Sequence, residues 1–254
     1  MKKTYLIVKV ICESLIDLFR RRKKFPLYKG LFVDIKEILG IKTINPINFS
    51  IEDKDRIHLI NVAVDCFEQE DCKYLEIGVD NEYVFSSVNV LNKNKIGVDP
   101  AKGGTHRMTS CDFFYKNQQN KFDVIFIDGL HTYEQCKLDC INSLIASKDQ
   151  SIILFHDMVP ENLWQEITPR KYKTWTGNVW KVAVELSMSK NLDFVIANID
   201  HGVGILKKKK GWEYLSNPDL INKNFKDFYR DYYKLLPIVT YDEAIKFIKK
   251  PLGV

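Results

Sequence analysis

No long apolar run interrupts this sequence. The nearest approach is the N-terminal stretch MKKTYLIVKVICESLIDLFRRRKKF, where Lys9, Glu13 and Asp17 break the apolar residues. It is too short and too charged to span a bilayer. No small-residue cleavage site follows it, which argues against a secretory signal. Its six cysteines, Cys12, Cys66, Cys72, Cys111, Cys136 and Cys140, form no CxxC pair and no close pairing with histidine. That absence argues against a zinc site and predicts reduced, buried thiols in a cytoplasmic protein. Repeats and low-complexity tracts are also missing. The net charge is only +5, with Lys and Arg spread among many acids, so nucleic acid is not expected as a partner.

What is present suits one large α/β core with appended helices: 254 residues, 45% hydrophobic and 28% charged. At the N-terminus Lys9, Glu13, Asp17 and Arg21 fall four apart, leaving Leu6, Val10, Ile11, Leu15 and Leu18 on the other faces of an amphipathic helix. Two readings stay open. The helix packs on the main domain or on a second subunit of a homodimer, or its cationic end, Arg20 to Lys24, makes a peripheral contact with anionic lipid. Pro26, Gly30, Gly40 and Pro46 then mark a connector with one short helix. Ser50 or Asp53 can cap the next helix, with Ile57, Ile60, Val64 and Phe67 as its stripe. The expected division is residues 1–50 as helix and connector, 51–210 as the core domain, and 211–254 as a helical tail packed on it. Lys207 to Lys210 reads as a solvated turn after a strand.

From residue 73 the pattern alternates. KYLEIGV, KIGVDP, FDVIFIDG and SIILFHD are apolar strands, and EQCKLDCINSLIAS and GNVWKVAVELSM are helices between or after them. All-apolar strands alternating with helices predict a doubly wound, Rossmann-like, mostly parallel sheet covered on both faces. LDFVIANIDHGVGILKKK, joined at Asp200, His201 and Gly202, predicts a C-terminal hairpin that adds an antiparallel strand. YDEAIKFIKK closes the chain as a helix.

In such sheets ligands bind beyond the carboxyl ends of the strands. Here those ends carry Glu76 and Gly78, Asp99, Asp128, and His156 with Asp157. Four polar tips on one edge are hard to explain by packing. Gly78 allows close backbone approach at the first turn, and an acid ending the second strand can accept both ribose hydroxyls. That combination serves NAD or S-adenosylmethionine. EIGVDNEY lacks the G-x-G-x-x-G spacing that seats a pyrophosphate, which weakens NAD.

YLEIGV, KIGVDPAKGGTHRMTSCDFF, KFDVIFIDGLHTYEQ, IILFHDMVP, TGNVWKVAVEL and DHGVGILKK together resemble the class I S-adenosylmethionine-dependent methyltransferases, in particular a bacterial branch associated with capsule and surface-polysaccharide genes. The resemblance runs from about residue 55 to 209. It implies that Glu76 and Gly78 line the methionine side of the cofactor, that Asp99 holds the ribose, and that Ser110 borders the adenine. The sequence departs from the pattern where Glu82 replaces a loop glycine. It departs again at Thr109 to Phe114, which shifts or removes the adenine-edge carboxylate.

Methyl transfer to a hydroxyl requires loss of the acceptor's proton, to a base or with help from a metal. Asp128, His156 and Asp157 are candidate ligands for Mg²⁺ or Mn²⁺, similar to the acids of metal-dependent O-methyltransferases. The alternative is that Asp128 caps the helix near Tyr133 and His156 hydrogen-bonds Asp157 without metal. His131 is the first choice of base, His156 the second; His201, His58 and His106 have weaker claims. After Asp157, the segment MVPENLWQEITPRKYKTWTGNVW sets Trp164, Trp175 and Trp180 beside Arg170, Lys171 and Lys173, a lid suited to a nucleotide sugar. The expected activity is O-methylation of a sugar nucleotide or surface-polysaccharide precursor. N-methylation of a small amine without metal and a non-catalytic cofactor-binding module are the competing readings.

Overall fold

The computed structural model describes residues 55–171 and 173–251. The N-terminal amphipathic helix, its lipid or subunit contact, the connector, and the Ser50 and Asp53 caps lie outside the described residues. The first described helix, α1 (Arg56–Val64), is capped instead by Asp55, whose side chain accepts from the Ile57 N–H.

The core is a seven-stranded sheet built from β1 (Tyr74–Ile77), β2 (Lys95–Val98), β3 (Phe122–Ile127), β4 (Ser147–Phe155), β5 (Lys190–Ala197), β6 (Val203–Glu213) and β7 (Ile238–Val239), in the order β2-β1-β3-β4-β6-β5-β7. β1 pairs in parallel with β2 and β3, and β3 with β4; β6 runs antiparallel to β4 and β5. This is the Rossmann-like sheet with an antiparallel member that the motif order predicts. Beyond β2, the sheet ends in a single parallel bridge between Val98 and His106. The connecting helices are α2 (Tyr83–Ser87), α3 (Ser110–Lys116), α4 (Tyr133–Ala146), α5 (Leu163–Glu166) and α6 (Trp180–Met188), and α7 (Tyr241–Lys249) closes the described chain.

All six residues of β3 are buried, so alternate side chains feed two cores. Tyr74, Val124, Phe126, Ile152 and Leu154 pack with Leu59, Ile60 and Ala63 of α1 and with Ala244 and Ile248 of α7. Leu75, Ile125, Ile153 and Phe155 pack on the other face with Cys140 and Leu144 of α4 and Val182 and Leu186 of α6. Each fully buried Leu or Ile contributes about 1.5–3 kcal/mol.

Three expectations need correction. Lys207 to Lys210 is not a turn but part of β6. Lys207 is buried under α7, donating to the carbonyls of Phe247, Ile248 and Lys250 at 2.8, 2.5 and 2.8 Å. Lys208 donates to Leu144 and Ser147 at the end of α4. Successive strand residues face opposite sides, so each lysine closes a helix C-terminus where a cation is favoured. The tail, expected to be helical, also supplies β7, a strand too short to leave a pattern. Among the thiols, Cys72, Cys136 and Cys140 are buried and free, whereas Cys66 is free but exposed.

Candidate active site

Strand pairing brings the polar tips together before any side chain acts. Ile127 pairs with Ile77 on one side and Phe155 on the other, so Asp128 and His156, the next residues, stand side by side. Both continue the alternation that faces α1. The junction is tight: a Cβ on Gly78, where φ is +86°, would lie 2.1 Å from the Asp128 carbonyl oxygen. Glycine is therefore required there by the protein's own β3 turn.

His156 Nδ1 lies 3.2 Å from Asp128 Oδ1 and 3.5 Å from Asp157 Oδ1, while its Nε2 faces Asp200 Oδ2 at 3.3 Å. His131 Nε2 lies 3.1 Å from Asp128 Oδ1, and its Nδ1 is 2.7 Å from the Trp175 carbonyl and 3.1 Å from Asp157 Oδ2. Arg56, the first residue of α1, bonds Asp200 Oδ2 through Nη1 at 2.7 Å and holds Nε 3.7 Å from Asp128 Oδ2. Three carboxylates thus face three cationic groups. Burial would raise the Asp128 carboxyl, but the charge of His156 and the hydrogen bonds of both histidines outweigh it and hold it well below the usual range. For His156 burial pulls the other way from the Asp157 and Asp128 carboxylates, which win and keep the imidazole protonated well above its ordinary value. His131 is raised too, against burial, chiefly by its hydrogen bond to Asp128 and by Asp157.

His131 is held by the segment that follows α5. Its ring stacks on Trp175 with centroids 5.3 Å apart, and a Cβ on Gly177 would collide with the His131 carbonyl at 1.7 Å. Asn178 accepts from the Tyr133 N–H at 2.6 Å. The expected lid is thus a packed wall, with Asn162, Gln165, Glu166 and Thr176 buried within it. Trp164 and Trp180 belong to the interior; Trp175 alone of the three tryptophans borders His131, with Arg170 5.9 Å from its ring.

On the cofactor side, Asp99 is buried and accepts four backbone N–H groups, from Val79 and Asp80 on Oδ2 and from Ala101 and Lys102 on Oδ1. Burial works against ionisation here, but these hydrogen bonds prevail and lower its pKa. Asp99 therefore ties the β1 turn to the β2 turn. Asp80 and Glu82 stand at positive φ, 49° and 63°, so the left-handed turn exists without the expected glycines. Glu76, buried within β1, bonds the Tyr74 hydroxyl at 2.5 Å, and burial pushes its carboxyl up to about 8. Ser110 begins α3 and accepts from Gln135, which also donates to the buried Asp139. Burial lifts Asp139 to about 6.

Asp128 does not cap the following helix; Thr132 does. Asp128, His131 and Asp157 each offer one ligand atom, all within 4.8 Å of one another. His156 reaches both carboxylates but sits deeper. The remaining histidines lie apart from this cluster: His58 bonds Tyr241, His106 contacts Thr105, and His201 is 3.6 Å from Glu161. Sequence reasoning missed Arg56 and Asp200. Arg56 carries no motif at all, and Asp200 looked like an ordinary hairpin residue.

No helix among the described residues is long and apolar enough to cross a membrane. No curated protein matches the chain. Among solved structures, the O-methyltransferase from Bacillus cereus in complex with SAH is 12% identical, covering 79% of this chain and 100% of that one with a TM-score of 0.47. A putative O-methyltransferase from Klebsiella pneumoniae is 12% identical, with coverages of 70% and 96% and a TM-score of 0.47. TomG from Streptomyces achromogenes, an O-methyltransferase involved in tomaymycin synthesis and solved with SAM, is 10% identical, with coverages of 78% and 97% and a TM-score of 0.43. At such scores and identities these likenesses add nothing to the reading of the site. A family model described as a methyltransferase domain matches residues 62–158. That span holds all four polar strand tips from Glu76 to Asp157.

Proposed function

We propose that this chain is an S-adenosylmethionine-dependent O-methyltransferase assisted by a divalent cation, acting on a hydroxyl of a nucleotide sugar or surface-polysaccharide precursor. The observation that carries the reading is the convergence of Asp128, Asp157, His131 and His156 beside the Gly78 turn, at the edge where an α/β sheet binds its ligands. The turn that Asp99 organises receives the methyl donor, with Glu76 beneath it and Ser110 toward the adenine.

Asp128 and Asp157, with His131 within 4.8 Å of both and His156 Nδ1 3.2 and 3.5 Å from them, offer carboxylates and an imidazole that would fit Mg²⁺ or Mn²⁺ with water completing the shell. Asp128 and Asp157 would hold the ion. His156 completes the set better than His131, because Nδ1 faces both carboxylates while Nε2 faces the outer carboxylate Asp200, the usual second partner of a ligating histidine. When bound, the cation supplies the positive charge that the imidazoles now provide and polarises the acceptor hydroxyl. His131 Nδ1 donates to the Trp175 carbonyl; once the cation takes over the charge facing the carboxylates, the neutral ring would turn Nε2, now 3.1 Å from Asp128 Oδ1, to the acceptor's proton. Transfer would then form the O–CH₃ bond as the S–CH₃ bond of the donor breaks, with the neutral thioether S-adenosylhomocysteine leaving. Trp175 with Arg170 offers an apolar face and a cation to a sugar carrying phosphate.

The test is a screen of nucleotide sugars with S-adenosylmethionine and Mn²⁺. EDTA should abolish transfer. His131→Ala should lower turnover by roughly 10²–10⁴-fold with donor and Mn²⁺ binding retained, as expected for loss of a general base, whereas His156→Ala should lose the Mn²⁺. Turnover unchanged by chelator and by His131→Ala would remove this mechanism, and preferential binding of NAD would remove the donor assignment.

A further inference from the structure

Asp200 enters the proposed site only as the outer neighbour of His156, yet its own backbone is constrained. It takes a left-handed backbone, φ 45°, followed by His201 at 59° and Gly202 at 86°. Three such residues in succession, two of them with side chains, require outside support. The support is visible: the Val159 and Met158 N–H groups donate to the carbonyls of His201 and Gly202 at 2.8 and 3.0 Å, and a Cβ on Gly202 would meet Val159 at 2.6 Å. The hairpin turn is thereby fastened to the chain immediately after Asp157, itself at φ 60°. Its product is one carboxylate directed back at the strand tips.

That carboxylate has two neighbours. Arg56 reaches Asp200 Oδ2 with Nη1 at 2.7 Å and with its backbone N–H at 3.4 Å. His156 Nε2 lies 3.3 Å from the same oxygen. Arg56 Nε and His156 Nε2 are both buried and meet only carboxylate oxygens at long range, Asp128 Oδ2 at 3.7 Å and Asp200 Oδ2 at 3.3 Å. Buried donors in this state are costly unless the arrangement has a use.

We infer that Asp200 and Arg56 are a positioning pair that fixes the His156 ring with Nδ1 toward Asp128 and Asp157. Asp200 occupies the Nε2 side of the ring, so the site-facing nitrogen is Nδ1. Arg56 anchors Asp200 from the end of α1 and stands over the outer oxygen of Asp128. Three elements far apart in sequence, α1, the β4 tip and the β5–β6 turn, thus converge on one imidazole. This inference rests on the reading of Asp128, Asp157 and His156 as the cation site, and it is separable from it by experiment.

The experiment uses the full chain, with Mn²⁺ titrations followed by electron paramagnetic resonance and with imidazole ¹H–¹⁵N correlation spectra of the ion-free protein at fixed pH. Asp200→Asn, Arg56→Gln and the double variant are compared with the parent, and Arg56→Lys replaces Arg56→Gln if the latter does not fold. Each single change should weaken Mn²⁺ about tenfold to a hundredfold, the range for partners of ligating groups. The double variant should be little worse than either single one, because coupled residues are not additive. The His156 signals should move while those of His58 and His106 stay. Mn²⁺ affinity within twofold of the parent, additive losses, or unmoved His156 signals would overturn the pair. If the parent itself binds no Mn²⁺, the cation site fails and the spectra alone decide: moved His156 signals support the positioning role and unmoved ones end it.

Discussion

Asp80, Glu82, Asp157, Asp200 and His201 all hold positive φ in the turns beyond the strand tips, and none is glycine. A left-handed non-glycine residue costs about 1 kcal/mol, so strain is concentrated at the site and offset by packing elsewhere. The turn after β1 shows how this hides a site from a motif reader: the glycine pattern is broken at Asp80 and Glu82, while the backbone conformation that glycine would allow is kept. A second residue-scale consequence concerns Glu166. It is buried in the wall behind Trp175 and accepts from Trp180 Nε1 at 3.3 Å, yet burial pushes its carboxyl up from 4.5 to about 7. The unfolded chain ionises near 4.5 and the folded one near 7, so between these values the unfolded state binds fewer protons. Its contribution is therefore full below pH 4.5 and is lost as pH rises through 7. Glu166→Gln should be more stable than the parent at pH 8 and should show a flatter stability curve between pH 5 and 8, measured by urea unfolding. Equal slopes for the two proteins would contradict this.

The helices are positioned by a few buried polar anchors as well as by apolar faces. Glu185 of α6 is fully buried, and its carboxylate is shared by the Tyr133 hydroxyl at 2.7 Å, Lys137 Nζ at 2.9 Å, the Tyr214 hydroxyl at 2.6 Å and the Asn217 N–H at 2.6 Å. One side chain thereby joins α6, the first turn of α4 and the segment that follows β6. The α4 turn is the continuation of the His131 loop, so this anchor also bears on the site. Removing the carboxylate leaves a lysine, two hydroxyls and an amide without their acceptor, an effect of about 3 kcal/mol for a buried charged network. Glu185→Ala should lower the urea midpoint accordingly with the slope unchanged, and a loss under about 1 kcal/mol would show that water replaces the anchor. The strands were legible because burial on both faces leaves continuous apolar runs. β7, at two residues, and the cap of α1 by Asp55 were not, since neither leaves a periodic pattern.

At the scale of the whole molecule, the site is assembled from the ends of several elements, so ligands that bridge them should stabilise the fold globally. S-adenosylmethionine at a hundred times its Kd adds about 2.7 kcal/mol to the native state, a rise in Tm of roughly 5–10 °C for a domain of this size. NAD at the same concentration should leave the Tm unchanged. An equal shift with NAD would remove the preference for the sulfonium donor.

The sequence by itself determined the alternation of strand and helix, the polar strand tips at Glu76, Asp99, Asp128 and His156–Asp157, and the antiparallel hairpin, because burial and period are local properties of the chain. Tertiary structure alone decided what those tips face. Arg56 and Asp200, separated by 144 positions, meet at 2.7 Å, and Trp175 holds His131 from 44 positions away. Gly78 is spent on the approach of Asp128, Asp99 on the loop amides, and Lys207 on a helix end. Such assignments depend on strand register and on which helix covers which face, and these are set by the packing of the entire core.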